Sequence, residues 1–197
     1  MSLRCLFVDR DGTINVETGY VHRIEDFEYI PRSLSALRLA TEHGVKTYIV
    51  TNQAGIAKGL YTEEDFHSLT AKMLQDMRGQ GIEIAEVLYC PHHPDATVPA
   101  YRQACDCRKP EVGMLQGVID REGYSPDEMA IVGDKNSDIE AGRKLGIATY
   151  LVETGYGADE KSTTRADYVV PDLMAAVEHL LRQSGAVPVS ASVERLQ

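Results

Sequence analysis

Apolar, β-branched runs of strand length recur along the chain, and most of them break off at a polar residue. The run over 3–8 stops at Asp9, that over 45–50 at Thr51, and that over 129–132 at Gly133 and Asp134. Further runs cover 84–89, 147–152 and 168–170. Between them lie helical patterns with readable ends. Ser33 is placed to cap a helix that ends at Gly44. Thr62, with Asp65 three residues on, opens a second helix, in which Phe66, Leu69, Met73, Leu74 and Met77 share one face. Pro110 suits the first turn of a helix running to about Arg121, with Gly123 beyond its end. Asn136 or Ser137 begins another, which Gly146 stops, and a last helix runs from about Pro171 to Gln183. Strands alternating with helices predict an α/β fold, a Rossmann-like, doubly wound and mainly parallel sheet with helices on both faces.

A length of 197 residues fits one domain, expected over 1–183, with a flexible tail over 184–197. Thirty acidic residues against 20 Lys and Arg give a net charge of −10. Such a surface repels phosphate backbones and anionic lipid, so neither a nucleic acid nor a membrane is expected as partner. There is no apolar run of about 18 residues and no charged-then-apolar leader, so the cytoplasm is the expected compartment. No stretch is long enough for a large cap domain, and a monomer acting on a small molecule is expected.

Asp9 and Asp11 stand in DRDGT, directly after the first strand. A spacing of two points both side chains the same way while strand geometry lasts, and Gly12 then lets the chain turn away. Two acids so placed need a proton or a cation between them. An Asp-Gly turn with solvated acids is the plainer alternative. Thr51, Asn52, Gln53, Lys109 and Asp134 fall at other strand ends or at a helix start. In an open α/β sheet those ends converge on one crevice. Asp138 could orient Lys109 or Lys135, or serve only as a first-turn helix acid.

The loop over 90–109 is long enough to need something holding it. Cys90-Pro91-His92 and Cys105-Asp106-Cys107 offer three thiolates and an imidazole, a closed tetrahedral set suited to a structural Zn²⁺. His93 could stand in for His92. The alternatives are a strained Cys105–Cys107 disulfide, or free thiols beside a surface histidine. Cys5, inside the first strand, reads as a small buried hydrophobe.

DRDGT, the strand-final Thr51, Lys109 and the Gly133-Asp134 pair resemble, in order, the four motifs of the haloacid dehalogenase superfamily of phosphatases. The resemblance implies that Asp9 attacks phosphorus and that Asp11 acts as general acid and then base. It implies catalytic Mg²⁺ on Asp9, Asp134 and the Asp11 backbone carbonyl, with Thr51 and Lys109 stabilising the phosphoryl oxygens. The cysteine-histidine loop leading into CRKP is similar to a zinc-bearing subgroup whose substrates are a heptose 1,7-bisphosphate, cleaved at its 7-phosphate, or histidinol phosphate. The length of the loop, TGYVH, and VTNQAGIAKG favour the sugar bisphosphate. Substrate contacts implied by the resemblance come from Glu17, Thr18, Gly19 and Tyr20, from Thr51, Asn52, Gln53 and Ala54, and from Arg108, Lys109 and Lys135. Ala54 replaces a serine often found there. A zinc-bearing phosphosugar-binding module without turnover is the alternative from another class.

Overall fold

The computed structural model describes residues 3–185. The expected tail over 184–197 lies outside the described residues, apart from Ser184 and Gly185. In chain order the elements are β1 (Cys5–Val8), α1 (Ser33–Glu42), β2 (Lys46–Asn52), α2 (Ala54–Ala57), α3 (Glu63–Gly79), β3 (Ile84–Cys90), α4 (Gly113–Glu122), β4 (Met129–Gly133), α5 (Asn136–Lys144), β5 (Ala148–Val152), α6 (Gly157–Glu160), β6 (Tyr168–Val170) and α7 (Leu173–Gln183), with three short 3-10 turns. The strands form one sheet in the order β3-β2-β1-β4-β5-β6, and every pairing is parallel. The fold is therefore the doubly wound α/β sheet that the sequence predicts.

Alternation along the strands builds two cores. Leu6, Val8, Ile49, Ala130, Val132, Tyr150 and Val152 face α1, α3 and α7. Cys5, Phe7, Tyr48, Val50, Met129 and Ile131 face the other way, onto Leu115 and Val118 of α4. Every residue of β1 and β4 is buried, as strands covered on both faces must be. The chain runs from β1 outward to β3 and then crosses back to β4 on the opposite side of β1. This reversal opens a crevice beyond the carboxyl ends of β1, β2 and β4.

Helix α3 begins as expected, with a Thr62–Asp65 capping box and Phe66, Leu69, Met73 and Met77 buried. Two helix starts differ. Ser33 is the first residue of α1 rather than its cap, since Arg32 in a left-handed conformation leads the chain in. Helix α4 opens at Gly113, not Pro110, whose peptide bond with Lys109 is cis. Lys109 consequently sits in a turn ahead of the helix. Asp172 caps α7, its carboxylate accepting the Ala175 N–H at 2.8 Å.

Candidate active site

Asp9 leaves β1 with its N–H donated to the Val132 carbonyl of β4 at 2.9 Å, which ties the two strand ends together. The Lys109 ammonium lies 2.9 Å from Asp9 Oδ1 and 2.5 Å from Asp138 Oδ1, and donates to the Val50 carbonyl of β2 at 2.6 Å. One buried cation thus joins the ends of β1 and β2 to the start of α5. Burial opposes its charge, but the carboxylates of Asp138 and Asp9 outweigh that and raise its pKa. Asn52 holds the Lys109 backbone from both sides, donating to its carbonyl at 2.9 Å and accepting its N–H at 3.0 Å. Asp138 also accepts the Lys135 N–H at 3.2 Å, so it touches both of the lysines considered for it.

The expectation that Asp9 and Asp11 point together needs correction. Strand geometry ends at Val8, and the two carboxylates part, each taking its own cation. Asp9 pairs with Lys109. Asp11 receives a fork from Arg10, with Nη2 at 2.9 Å from both oxygens and Nε at 3.1 and 3.2 Å. Asn15 and Gln53 add donors to Asp11 at 3.1 and 3.0 Å. The Arg10 side chain is only 1% exposed, lies over the Phe66 ring and donates to the Val21 carbonyl at 3.0 Å. Gln53 further donates to the Thr51 hydroxyl at 2.8 Å, so Thr51 is held in the same buried network.

Asp134 is fully buried, and an oxygen from it, one from Asp9 and one from Asp138 lie within 4.8 Å of one another. Its Oδ2 accepts the Tyr156 N–H at 2.9 Å, while Oδ1 is buried without a hydrogen-bond partner. Burial, followed by the charge of Asp9, pushes its carboxyl up to about 8. An orphaned buried oxygen between acids fits a hard divalent cation such as Mg²⁺. Glycines make the approach to Asp134 possible. A Cβ on Gly12 (φ +85°) or on Gly155 would fall 2.1 or 2.2 Å from Asp134 Oδ2.

The crevice encloses about 320 Å³, in the range of small-ligand sites. Asp11 and Lys109 line it, as do Glu17, Gly19, Tyr20, Asn52, Gln53, Ala54, Arg108 and Lys135 among the expected contacts. Thr18, Thr51, Asp9 and Asp134 do not line it; Thr18 is exposed, Thr51 lies beneath Gln53, and Asp9 and Asp134 are buried beside Lys109 and Asp138. Burial, then the charge of Asp11, raises the Glu17 pKa. Lys58, Tyr61, His93, Ser137 and Tyr156 also line the crevice and were not expected there. Lys58 stands in the same GIAKG run as the resemblance, one turn past Ala54, which was the available signal for it. No local pattern marks Tyr156, which is brought in by the turn after β5.

Cys90, His92, Cys105 and Cys107 converge as expected. Their sulfurs lie 3.0 to 3.5 Å apart, and His92 Nδ1 lies 3.5 Å from Cys107 Sγ and 3.9 Å from Cys90 Sγ. These spacings are too long for a disulfide and near the edges of a tetrahedron with Zn–S of about 2.3 Å. All four cysteines are free of disulfides, and burial pushes the Cys90 thiol up. The donor set fits Zn²⁺. His93 instead accepts the Asp95 N–H at 3.0 Å and turns to the crevice, where burial, then the charges of Arg108 and Lys58, lower its pKa. Cys5 is a buried strand residue with its thiol pushed up to about 12. Among the described residues no helix is long and apolar enough to cross a membrane.

A Rossmann-like sheet with acids at the ends of adjacent parallel strands and a buried lysine between them defines a phosphate-ester hydrolase of the haloacid dehalogenase class. A family model described as HAD-hydrolase-like matches residues 106–176. The D-glycero-alpha-D-manno-heptose-1,7-bisphosphate 7-phosphatase of Photorhabdus laumondii is 43% identical over 80% of this chain and 87% of its own. The D-glycero-beta-D-manno-heptose-1,7-bisphosphate 7-phosphatase of Escherichia coli K12 is 38% identical over 92% and 96%. A crystal structure of D,D-heptose 1,7-bisphosphate phosphatase from B. bronchiseptica, complexed with magnesium and phosphate, superposes with a TM-score of 0.83 at 29% identity, covering 92% of this chain and 99% of that one. The chain belongs to the haloacid dehalogenase-like hydrolases, and it is a phosphoric monoester hydrolase.

Proposed function

We propose that this enzyme removes the 7-phosphate of D-glycero-D-manno-heptose 1,7-bisphosphate, leaving heptose 1-phosphate for synthesis of the nucleotide-activated heptose of the lipopolysaccharide core. One observation carries the reading: the clustered carboxylates of Asp9 and Asp134 lie against Lys109, which lines the crevice, beside a cysteine-histidine loop, in a chain 38% and 43% identical to enzymes named for that reaction. The unit that does this is the single domain over 1–183, acting as a cytoplasmic monomer.

The hydrogen bonds that reach Asp9, from Lys109 and from the Arg10 N–H at 2.8 Å, fall on Oδ1. Oδ2 therefore attacks phosphorus, the bond to the sugar oxygen breaks, and an aspartyl-phosphate forms. Once clear of the Arg10 fork, Asp11 takes up a proton from solvent, gives it to the departing oxygen, and then takes one from the water that releases phosphate. Lys109 and Thr51 stabilise the equatorial oxygens, and Asn52 and Asp138 keep Lys109 in place. Mg²⁺, held by the Asp9 and Asp134 carboxylates and the Asp11 backbone carbonyl, would supply positive charge to the phosphoryl oxygens. Zn²⁺ on Cys90, His92, Cys105 and Cys107 would only pin the loop. Glu17, Gly19, Tyr20, Gln53, Ala54, Arg108 and Lys135, which line the crevice, contact the substrate.

The test is phosphate release from both anomers of the heptose bisphosphate and from histidinol phosphate, with and without Mg²⁺. The expected kcat/KM favours a heptose bisphosphate, and Asp9→Asn is expected to lose at least about a thousandfold. A tenfold preference for histidinol phosphate would overturn the substrate, and turnover by Asp9→Asn near wild type would overturn the covalent mechanism.

A further inference from the structure

In a chain of net charge −10 many cations are paired with acids, yet Lys58, Arg108 and Lys135 line the crevice with no carboxylate in salt-bridge range among the described residues. Lys135 lies over the Tyr156 ring, 4.3 Å from its centre, on the side of Asp134. Lys58 and Arg108 belong to the other wall. Neither of these two forms an ion pair among the described residues, and an anion entering the crevice would give both a close partner.

Lys58 is also aimed. It follows α2, and the chain reverses at Gly59 (φ +71°), leaving the side chain at the crevice. Its ammonium donates to the Tyr20 hydroxyl and sits 4.8 Å from the centre of the Tyr20 ring. Tyr20 takes a left-handed conformation (φ 59°) directly after Gly19 (φ 94°), a costly backbone for a bulky residue. The Val98 N–H donates to the Ala57 carbonyl at 3.0 Å, so the cysteine-histidine loop that carries Arg108 is fastened to the helix that Lys58 ends. His93 adds a donor to the same wall: its Nδ1 accepts the Asp95 N–H, which leaves the proton of the neutral ring on Nε2.

We infer that Lys58 is a specificity-determining residue, which with Arg108 binds the second phosphate of the substrate, the one that is not hydrolysed. The inference rests on the bisphosphate reading above and names the group that distinguishes a bisphosphate from a monophosphate. Tyr20 holds the ammonium in position, and a phosphate dianion supplies a stronger partner than a neutral hydroxyl. Lys58 does not touch the reacting phosphate, so its contribution appears in binding and not in the chemical step.

The experiment compares the heptose 1,7-bisphosphate with the heptose 7-phosphate that lacks the second phosphate, on wild type, Lys58→Met and Lys58→Arg. Lys58→Met is expected to raise KM for the bisphosphate at least about tenfold, with kcat and the KM for the monophosphate within about twofold of wild type. Lys58→Arg is expected to recover most of the loss, because the cation is kept. Equal changes on both substrates, or an unchanged KM for the bisphosphate, would overturn the inference. If wild type fails on the heptose bisphosphate but cleaves another sugar bisphosphate, the substrate reading falls and the same comparison with that sugar still tests Lys58. Wild-type turnover of monophosphates alone overturns both.

Discussion

Lys109 and Asp138 form an ion pair 2.5 Å long in which both side chains are 1% exposed. Burying two charges is costly, and removing one of them leaves the other without its partner. Asp138 is held at about 6 by burial against the opposing pull of Lys109. Asp138→Ala is expected to cost about 3 kcal/mol, by denaturant melting, and to lower kcat about tenfold or more as Lys109 loses its fixed position. Asp138→Asn should cost less in stability, because it can still accept the Lys135 N–H.

Asp134 carries the clearest pH dependence. With its folded carboxyl at about 8 against an ordinary 3.8, the metal-free protein holds a proton there at pH 7. The raised value favours the fold at low pH, and that advantage is lost as pH rises from about 4 to about 8. Mg²⁺ needs the carboxylate, so its binding at pH 7 is expected to release close to one proton and at pH 9.5 close to none. Calorimetric titration in two buffers of different ionisation enthalpy measures the difference. Equal proton release at the two pH values would contradict the assignment.

Metal content tests the cysteine loop. Wild type is expected to hold one zinc per chain, and Cys107→Ser to hold none and to lose about 2–5 kcal/mol, the scale of removing a native cross-link. The zinc would not be at the reacting phosphorus, so the residual enzyme should show a raised KM more than a reduced kcat. Elemental analysis beside steady-state kinetics separates the two.

Most of the strands are legible because the apolar run is long enough to bury and ends at a polar residue, although β3 runs on to the buried Cys90. Because the strands are parallel, the residues that end them, Asp9, Thr51 and Asp134, fall at one end of the sheet. Helix starts were less legible. Ser33 and Pro110 have the right residue type for a cap and a first turn, but Arg32 and the turn at Lys109 set the backbone instead. The parting of Asp9 and Asp11 was hidden for a similar reason. It depends on Arg10 folding back over Phe66, a contact 56 residues away in the chain that no local spacing records. Lys58, Tyr61, His93, Ser137 and Tyr156 reach the crevice through turns and loops, where side-chain direction has no periodicity to read.

The hydrogen bond from Val98 to Ala57 has an evolutionary consequence. The buried acids are set at the ends of a parallel sheet, while His93 and Arg108 of the proposed recognising wall hang on the loop over 90–109, which Ala57 fastens at Val98 and Asn52 at Lys109. A gene duplicate could lengthen, shorten or recharge that loop and acquire a new substrate while its hydrolytic centre stayed intact. Divergence among such enzymes should therefore concentrate between the paired cysteines and spare the strand ends.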